Sequence, residues 1–250
     1  MNRQKELVLH AFEIASLEYT MSNKKKKQEE EVLVDVVSQI SGIEKFIEKN
    51  QKNILTLIGG IVAVIAAFWL YNNYYQQPRE TQANEEIMAA QLAFERDSLE
   101  LALNGDGGSK LGFLSISEEY SGTKAANLSH YYAGVCYLNL KKYAEAIKEL
   151  DQFNAKDEVF ASLSNSAMGD AFNELNQPQD ALDFYEKAVA GGNNEFLAPF
   201  IHKKAGMTAD ILGNYAKAIK HYQAIKDKYP NSREASDIAK YIARSEAKMQ

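Results

Sequence analysis

Histidine and cysteine side chains have the widest chemical reach in this 250-residue chain, because imidazoles bind metal ions and thiolates act as nucleophiles. The chain has four histidines and one cysteine, namely His10, His130, His202, His221 and Cys136. The histidines do not stand at the HExxH spacing or at another spacing that ligates zinc, and the sequence has no GxSxG motif, Cys/His pair or Walker loop. The sequence therefore predicts no catalytic residue, no metal and no cofactor, and a protein that is not an enzyme.

The remaining candidates for chemistry have structural interpretations. Glycines surround Asp106 in the GDGGS segment at 105–109, but the alternating oxygen ligands of a calcium loop are missing, so we predict a turn there. Cys136 lies two residues after a glycine on a predicted helix, which favours an inert, buried or half-buried thiol. His130 and His202 occupy equivalent positions of an internal repeat, and we predict that both are packing residues.

That repeat organises the region after residue 126. Three segments align with periods of 35 and 37 residues, and each has a glycine, an alanine twelve residues later and a large side chain four residues further on. The recurring residues are Gly134, Gly169 and Gly206, then Ala146, Ala181 and Ala218, then Leu150, Tyr185 and Tyr222. Repetition at this length predicts an α-solenoid of helical hairpins.

Glycine inside a helix costs about 1 kcal/mol relative to alanine, so a glycine that recurs at one phase needs compensation. We predict that close approach of two helices supplies it, with the glycine of the first helix touching the alanine of the second. Aromatic side chains are expected to fill the space between hairpins, at Tyr137, Phe172, Tyr185 and Tyr222. Turns are predicted at Asn139–Tyr143, Asn176–Gln179 and Gly213–Tyr215, and Pro230 is expected to stop the third unit.

With small residues at two fixed phases and an aromatic nearby, residues 127–230 resemble the tetratricopeptide-repeat family. The resemblance implies a concave groove, lined by the first helices of successive units, that takes extended or helical peptides. The family's groove positions fall here on Tyr131, Val135, Asp170, Asn173, Lys203, Met207 and Asp210. Because Val135 and Asp170 stand where some relatives need asparagine to clamp a C-terminal carboxylate, a chaperone tail is not the expected ligand. The alternative is that these seven positions are merely solvated.

Helices are also predicted on both sides of the repeats. Asn231 with Glu234 three residues later predicts a helix start, and Ala235, Ile238, Ala239 and Ile242 form the stripe that would close the last repeat. Upstream, residues 81–104 and 110–120 predict a degenerate leading hairpin split by GDGGS. We therefore divide the soluble part into a linker with this hairpin at 72–126, and repeats with a capping helix at 127–250.

The segment Ile54–Tyr71 contains eighteen residues without a charge. As a helix it would be roughly 27 Å long, close to the hydrocarbon thickness of a bilayer, so we predict a single transmembrane helix. About fifty residues precede it and no small-residue cleavage site follows, which argues against a signal peptide. Lys45, Lys49 and Lys52 stand just before it and only Arg79 lies in the next twenty residues, so we expect the N-terminus in the cytoplasm and the C-terminal domain in the periplasm of a bacterial inner membrane.

Residues 1–53 are then a cytoplasmic tail. Leu33, Val36, Val37, Ile40, Ile43 and Ile47 recur at helical spacing. They predict an amphipathic helix that contacts lipid headgroups or another membrane protein. The basic run at 24–27 is either lipid-binding or a solvated charge cluster. Met21 begins a segment that looks like an ordinary N-terminus, so either Met1 or Met21 is the start.

Charge limits the class of partner. The segment after Tyr71 has 19 basic and 25 acidic residues, which accounts for the whole net charge of −6 and argues against nucleic acid as a partner. No small-molecule substrate is expected either, and besides the bilayer the predicted partners are proteins. The architecture resembles the YfgM-like ancillary subunits of the bacterial Sec translocon, which implies that the chain assists translocation or folding of envelope proteins. The alternatives are a scaffold subunit for envelope or cell-wall assembly and a regulatory subunit of a membrane enzyme.

Overall fold

The computed structural model describes residues 48–190 and 194–250, and this part of the chain is helical, without a β-strand. Residues 48–71 form α1, a π-helical segment follows at Asn72–Gln76, and a 3₁₀-helix lies at Glu234–Ser236. The other helices are α2 (Gln77–Glu95), α3 (Leu99–Asn104), α4 (Phe113–Glu119), α5 (Lys124–Asn139), α6 (Tyr143–Gln152), α7 (Glu158–Glu174), α8 (Pro178–Ala190), α9 (Ala198–Ile211), α10 (Tyr215–Lys228) and α11 (Ile238–Met249). The predicted all-α fold is confirmed.

The chain separates into two compact units, one up to Leu70 and one at Tyr71–Gln250. In the first unit, the apolar part of α1 has none of its side chains buried. By length and composition α1 with its continuation to Glu95 is the one described helix apolar enough to cross a membrane. The amphipathic helix predicted at residues 33–47, the basic run at 24–27 and the choice between Met1 and Met21 lie outside the described residues.

In the second unit, three helical hairpins form the repeat: α5 with α6, α7 with α8, and α9 with α10. Each hairpin turns at a residue in the left-handed region, at Lys141, Asn176 and Gly213, which are seven residues after the three repeat glycines. Helices α5, α7 and α10 are capped at their N-termini by Thr123, Asp157 and Asn214, respectively. The side chain of each capping residue accepts a hydrogen bond from a backbone N–H group in the first turn of its helix. The predicted hairpins and turns are confirmed.

The glycine contact differs from the prediction. A Cβ atom built on Gly134 would lie 2.5 Å from Cγ of Leu150 and only 3.2 Å from the carbonyl oxygen of Ala146. On Gly169 the Cβ would lie 2.6 Å from the ring of Tyr185. The glycines therefore make room chiefly for the large side chain sixteen residues later, and the predicted close approach to the alanine at twelve is present at Gly134.

The third hairpin repeats this arrangement, because a Cβ on Gly206 would overlap the ring of Tyr222. Tyr185 and Tyr222 thus lie against the glycines of their own hairpins. Tyr185 also belongs to one core cluster with Ile201 and Ala205 of α9, and Nζ of Lys204 lies 5.8 Å from its ring centroid, so it fills space between hairpins as predicted. Tyr222 also reaches the next helix, with its ring centroid 5.4 Å from that of Tyr241 on α11.

The leading region has three helices instead of the predicted two. Residues 96–98 interrupt the first one between α2 and α3, and Asp97 adopts a positive φ of 58° there. The predicted turn at GDGGS is confirmed, because Oδ1 of Asp106 accepts hydrogen bonds from the backbone N–H groups of Gly108 and Lys110. These two bonds lower the pKa of Asp106.

The last helix begins later than predicted. Helix α10 ends at Lys228, just before Pro230, as expected, but α11 starts only at Ile238. Ala239 is exposed, and the buried stripe of α11 consists of Ile238, Ile242 and Ser245. This helix packs on α10 and closes the repeat array, which is the predicted role of a capping helix.

Candidate protein-binding surface

In the first hairpin, the two predicted groove residues have different surroundings. Tyr131 on α5 is partly buried among aromatic rings, with its centroid 5.4 Å from Phe153 and 5.2 Å from Phe160. Burial raises the pKa of its hydroxyl. Val135, one turn later, is also partly buried. Tyr131 is therefore mainly a packing residue, which joins α5 to Phe153 at the end of α6 and to Phe160 on α7.

In the second hairpin, Asp170 and Asn173 are predicted groove residues one turn apart on α7. The Asp170 carboxylate accepts a hydrogen bond of 2.6 Å from the hydroxyl of Tyr185 and pairs with Nζ of Lys204 on α9 at 2.6 Å. Burial, followed by the Asp170 charge and hydrogen bond, raises the pKa of Tyr185, so this hydroxyl stays protonated and donates. Asp170 thus joins two hairpins, whereas Asn173 is exposed to solvent.

In the third hairpin, the predicted groove residues Lys203 and Asp210 contact residues of α11 and its N-terminal cap. Nζ of Lys203 lies 2.8 Å from Oδ1 of Asp237 and 4.8 Å from the ring centroid of Tyr241. The Asp210 side chain is buried, because α11 packs over it. It accepts hydrogen bonds from the hydroxyls of Tyr222 at 3.0 Å and Ser245 at 2.6 Å.

Arg244 completes this network, with Nη2 3.1 Å from Oδ2 of Asp210. The carboxylate of Asp210 is therefore fully engaged by the protein itself and is not free to bind a partner. Met207, the remaining predicted residue, is 44% exposed on α9. Of the seven predicted positions, Tyr131, Val135, Asn173 and Met207 take part in none of the ion pairs of the described residues, and Asn173 and Met207 are the exposed ones among these four.

The groove prediction missed an apolar stripe on α9. Phe200, Met207 and Ile211 are 48%, 44% and 68% exposed and lie seven and four residues apart, which places them on one face of the helix. Phe196, just before this helix, is exposed as well. Nζ of Lys204 lies 4.3 Å from the ring centroid of Phe200 within the stripe. Helical spacing of large apolar residues was the available signal in the sequence.

His130, His202 and His221 lie at contacts between helices, in keeping with the packing role predicted for His130 and His202. Nδ1 of His130 lies 2.8 Å from Oε2 of Glu149. Nδ1 of His202 lies 3.0 Å from Nδ1 of His221. Among the described residues, no three His, Cys, Asp or Glu side chains form a group that could hold a metal ion.

Cys136 is fully buried in the core that joins the leading helices to α5. Burial raises the pKa of this thiol to about 12, with a smaller contribution from the charge of Glu100. Because the thiolate is the reactive species, the side chain is inert at neutral pH.

Comparison with known proteins gives one matching family model and two similar solved structures. A family model described as tetratricopeptide repeat matches residues 129–157 and 204–232. Two similar solved structures are titled as crystal structures of MamA. One is 17% identical, covers 68% of this chain and 91% of that chain, and has a TM-score of 0.49. The other is 20% identical, covers 49% of this chain and 78% of that chain, and has a TM-score of 0.36.

No curated protein sequence matches this chain significantly. The two segments that the family model matches correspond to the first hairpin and to most of the third with the residues that follow it. Repeats of this family bind protein partners in general, which supports a protein-interaction module. The chain therefore carries tetratricopeptide repeats, at residues 129–157 and 204–232.

Proposed function

We propose that this protein is a membrane-tethered interaction module that binds other proteins through the apolar stripe of α9. Phe200, Met207 and Ile211 carry the proposal, because large apolar side chains aligned on one exposed helix face mark interaction sites more often than scattered ones. The exposed polar Asn173 and the partly buried Val135 extend the surface along the first helices of the other hairpins. Such a surface fits the apolar side of a peptide segment.

The tether is the second part of the proposal. Helix α1 exposes an uncharged apolar surface, which supports its insertion into a bilayer. Basic residues before it favour a cytoplasmic N-terminus and a periplasmic repeat domain. Confinement to the membrane raises the effective concentration of any membrane-bound partner, so weak contacts at the stripe suffice for binding.

The resemblance to YfgM-like subunits favours a role beside the Sec translocon, in translocation or folding of envelope proteins. Photocrosslinking in living cells tests this role, with the crosslinking residue placed at Met207 or Ile211 of the full-length chain. We expect crosslinks to translocon components and to emerging envelope proteins. A photocrosslinker at Lys226, an exposed residue of α10, is the matched control and should give few crosslinks.

Three outcomes contradict parts of the proposal separately. Equal crosslinking from Lys226 and Met207 would show that the stripe has no special role. Crosslinks confined to a stable envelope assembly would replace the translocon by the scaffold alternative. A C-terminal domain that resists protease in intact spheroplasts would reverse the proposed orientation.

A further inference from the structure

A cleft of about 600 Å³ opens on the second helices of the second and third hairpins, away from the stripe residues of α9. Its lining combines small aliphatic side chains with basic ones. The aliphatic part comes from Val189, Ala190, Ala216 and Ala224, and the basic part from Lys217, Lys220, Lys228, His202 and His221. Glu186 is the one acidic residue that lines it.

The charge of the cleft is opposite to that of its domain. Residues after Tyr71 contain more acidic than basic side chains, 25 against 19. In the cleft, Glu186 pairs with Nζ of Lys217 at 3.1 Å, which neutralises both. Lys220 and Lys228 are exposed and pair with no carboxylate within residues 48–190 and 194–250. Two uncompensated positive charges therefore stand beside the aliphatic lining.

The two histidines form a chain of hydrogen-bonding groups at this cleft. Nε2 of His221 lies 3.4 Å from Oε1 of Glu186, and Nδ1 of His221 lies 3.0 Å from Nδ1 of His202. In the neutral state, His221 donates from Nε2 to Glu186, so its Nδ1 is an acceptor and His202 must donate from Nδ1. Nε2 of His202 is then an unprotonated acceptor.

This last nitrogen is open to a ligand. His202 lines the cleft, and within the described part of the chain no hydrogen bond engages its Nε2. One proton taken up by the histidine pair puts hydrogen on Nε2 and converts it from an acceptor to a donor. The added positive charge then lies between Glu186 on one side and any anion in the cleft on the other.

We propose that this cleft binds an acidic segment of a protein partner, and that a carboxylate of the segment accepts a hydrogen bond from Nε2 of His202 as the histidine pair takes up one proton. Lys220 and Lys228 attract the carboxylate, and the aliphatic side chains contact the partner's apolar side chains. The site is separate from the α9 stripe and does not rest on the function proposed above.

The protonation energetics agree with this geometry. Burial, then His221 and Lys228, lowers the pKa of His202 to about 4 in the free protein. Burial also lowers the pKa of His221, and Glu186 opposes that shift while Lys217 and Lys220 add to it. The ring centroid of Tyr229 lies 6.1 Å from that of His202, so this aromatic side chain also borders the histidine pair. The pair is therefore neutral at neutral pH, and a bound carboxylate raises its pKa.

An acidic peptide fits these observations better than an anionic membrane surface. A lipid headgroup would meet Lys220 and Lys228 without any need for the recessed histidines or the aliphatic lining. Binding to a membrane would therefore depend on the lysines alone, whereas binding to a peptide depends on His202 as well. This difference separates the two in an experiment.

The test uses the full-length protein in phosphatidylcholine nanodiscs and a fluorescein-labelled peptide of glutamate and alanine, with a glutamine–alanine peptide as its control. We expect anisotropy to show binding of the glutamate peptide only. The affinity for the glutamate peptide should rise by up to about tenfold per unit fall in pH, because one proton is bound together with the peptide. This rise is expected between the raised pKa of the histidine pair in the complex and its lower pKa in the free protein. Lys220→Glu with Lys228→Glu should weaken binding at every pH.

His202→Gln should remove the pH dependence, while His130→Gln, in the other histidine contact of the repeats, should leave it unchanged. Equal binding of both peptides, or an unaltered pH dependence in folded His202→Gln, would overturn the proposal. If His202→Gln does not fold, full affinity in the double lysine variant would overturn it. Binding to phosphatidylglycerol vesicles in place of the peptide would assign the cleft to lipid and also overturn it.

Discussion

The first and third hairpins place side chains at the same positions but use different chemistry there. Nineteen residues separate His130 from Glu149, and nineteen separate His202 from His221. The first hairpin thus pairs a base with an acid, and the third pairs two bases. The Cβ position of the repeat glycine faces Leu150 in the first hairpin and Tyr222 in the third.

One further position extends the contrast. Four residues after the glycine, the first hairpin has Leu138, which packs in an apolar cluster, and the third has Asp210, which holds Tyr222 and Ser245. The repeat therefore fixes where the two helices of a hairpin meet, but not whether apolar packing or a polar network holds them. Polar networks are specific and sensitive to loss of one partner, so the third hairpin should be the more fragile.

Removing Asp210 should give the largest effect. Asp210→Ala removes the acceptor of the Tyr222 hydroxyl, one of the two acceptors of the Ser245 hydroxyl and the partner of Arg244, so we expect a loss of about 3 kcal/mol in the free energy of unfolding. Thermal unfolding followed by circular dichroism measures it. Asp170→Ala is the matched control with a smaller expected loss, since the Asp170 side chain is 30% exposed. Equal melting of Asp210→Ala and the wild type would contradict the view that this network holds the third hairpin.

Alanine at the repeat glycines should rank next. In Gly206→Ala the new methyl group overlaps a ring whose hydroxyl is held by Asp210, so the ring cannot move away. Overpacking of this kind costs about 2 kcal/mol. Gly134→Ala should cost less, because the Leu150 side chain has no polar anchor and can change rotamer. The difference between the two melting temperatures measures the effect of the anchor, and a larger loss in Gly134→Ala would show that the anchor does not matter.

These contrasts also explain which features the sequence could predict. The period of the repeat located the hairpins and turns, because small residues at fixed phases need close helix contact. It could not identify the partner of Gly169, since Ala181 and Tyr185 are one turn apart and lie on the same face of the second helix. Asp210 was assigned to the groove because the position of α11 over it depends on tertiary packing.

Other misses have similar causes. The break at residues 96–98 contains no glycine or proline, so nothing in that segment marks the end of α2. The contact between His202 and His221 joins two helices and has no period within either one. By contrast, the stripe of Phe200, Met207 and Ile211 was visible as helical spacing, and could have extended the predicted site.

Acidification should distinguish the two histidine contacts. Because the pKa of His202 falls from 6.5 in the unfolded chain to about 4 in the folded one, the unfolded state binds more protons between these values. Stability is therefore full above pH 6.5 and decreases as the pH falls towards 4, by about 1 kcal/mol after allowance for partial exposure of the site. Melting temperatures across this range measure it, and His202→Gln should flatten the curve.

His130→Gln is the control for that experiment. Nδ1 of His130 lies 2.8 Å from the carboxylate of Glu149, so this contact does not involve the His202–His221 pair. His130→Gln should therefore keep the decline of stability at low pH. If both variants flatten the curve equally, the two contacts respond alike and the contrast between the hairpins has no electrostatic basis.

Thiol reactivity should give the smallest but most selective difference. Cys136 in the first hairpin is buried and its pKa is raised to about 12, so a maleimide reagent should label the native protein only as fast as the chain opens. Met207→Cys in the third hairpin, made together with Cys136→Ser, places the thiol on the exposed stripe and should be labelled at once. Cys136 lies two residues after Gly134, and position 207 lies one residue after Gly206. The two thiols therefore have nearly the same position within their repeats but lie on different faces of their helices. Rapid labelling of Cys136 in the folded wild type would mean that α5 is open to solvent on this face, and slow labelling at position 207 would mean that the stripe is covered before any partner binds.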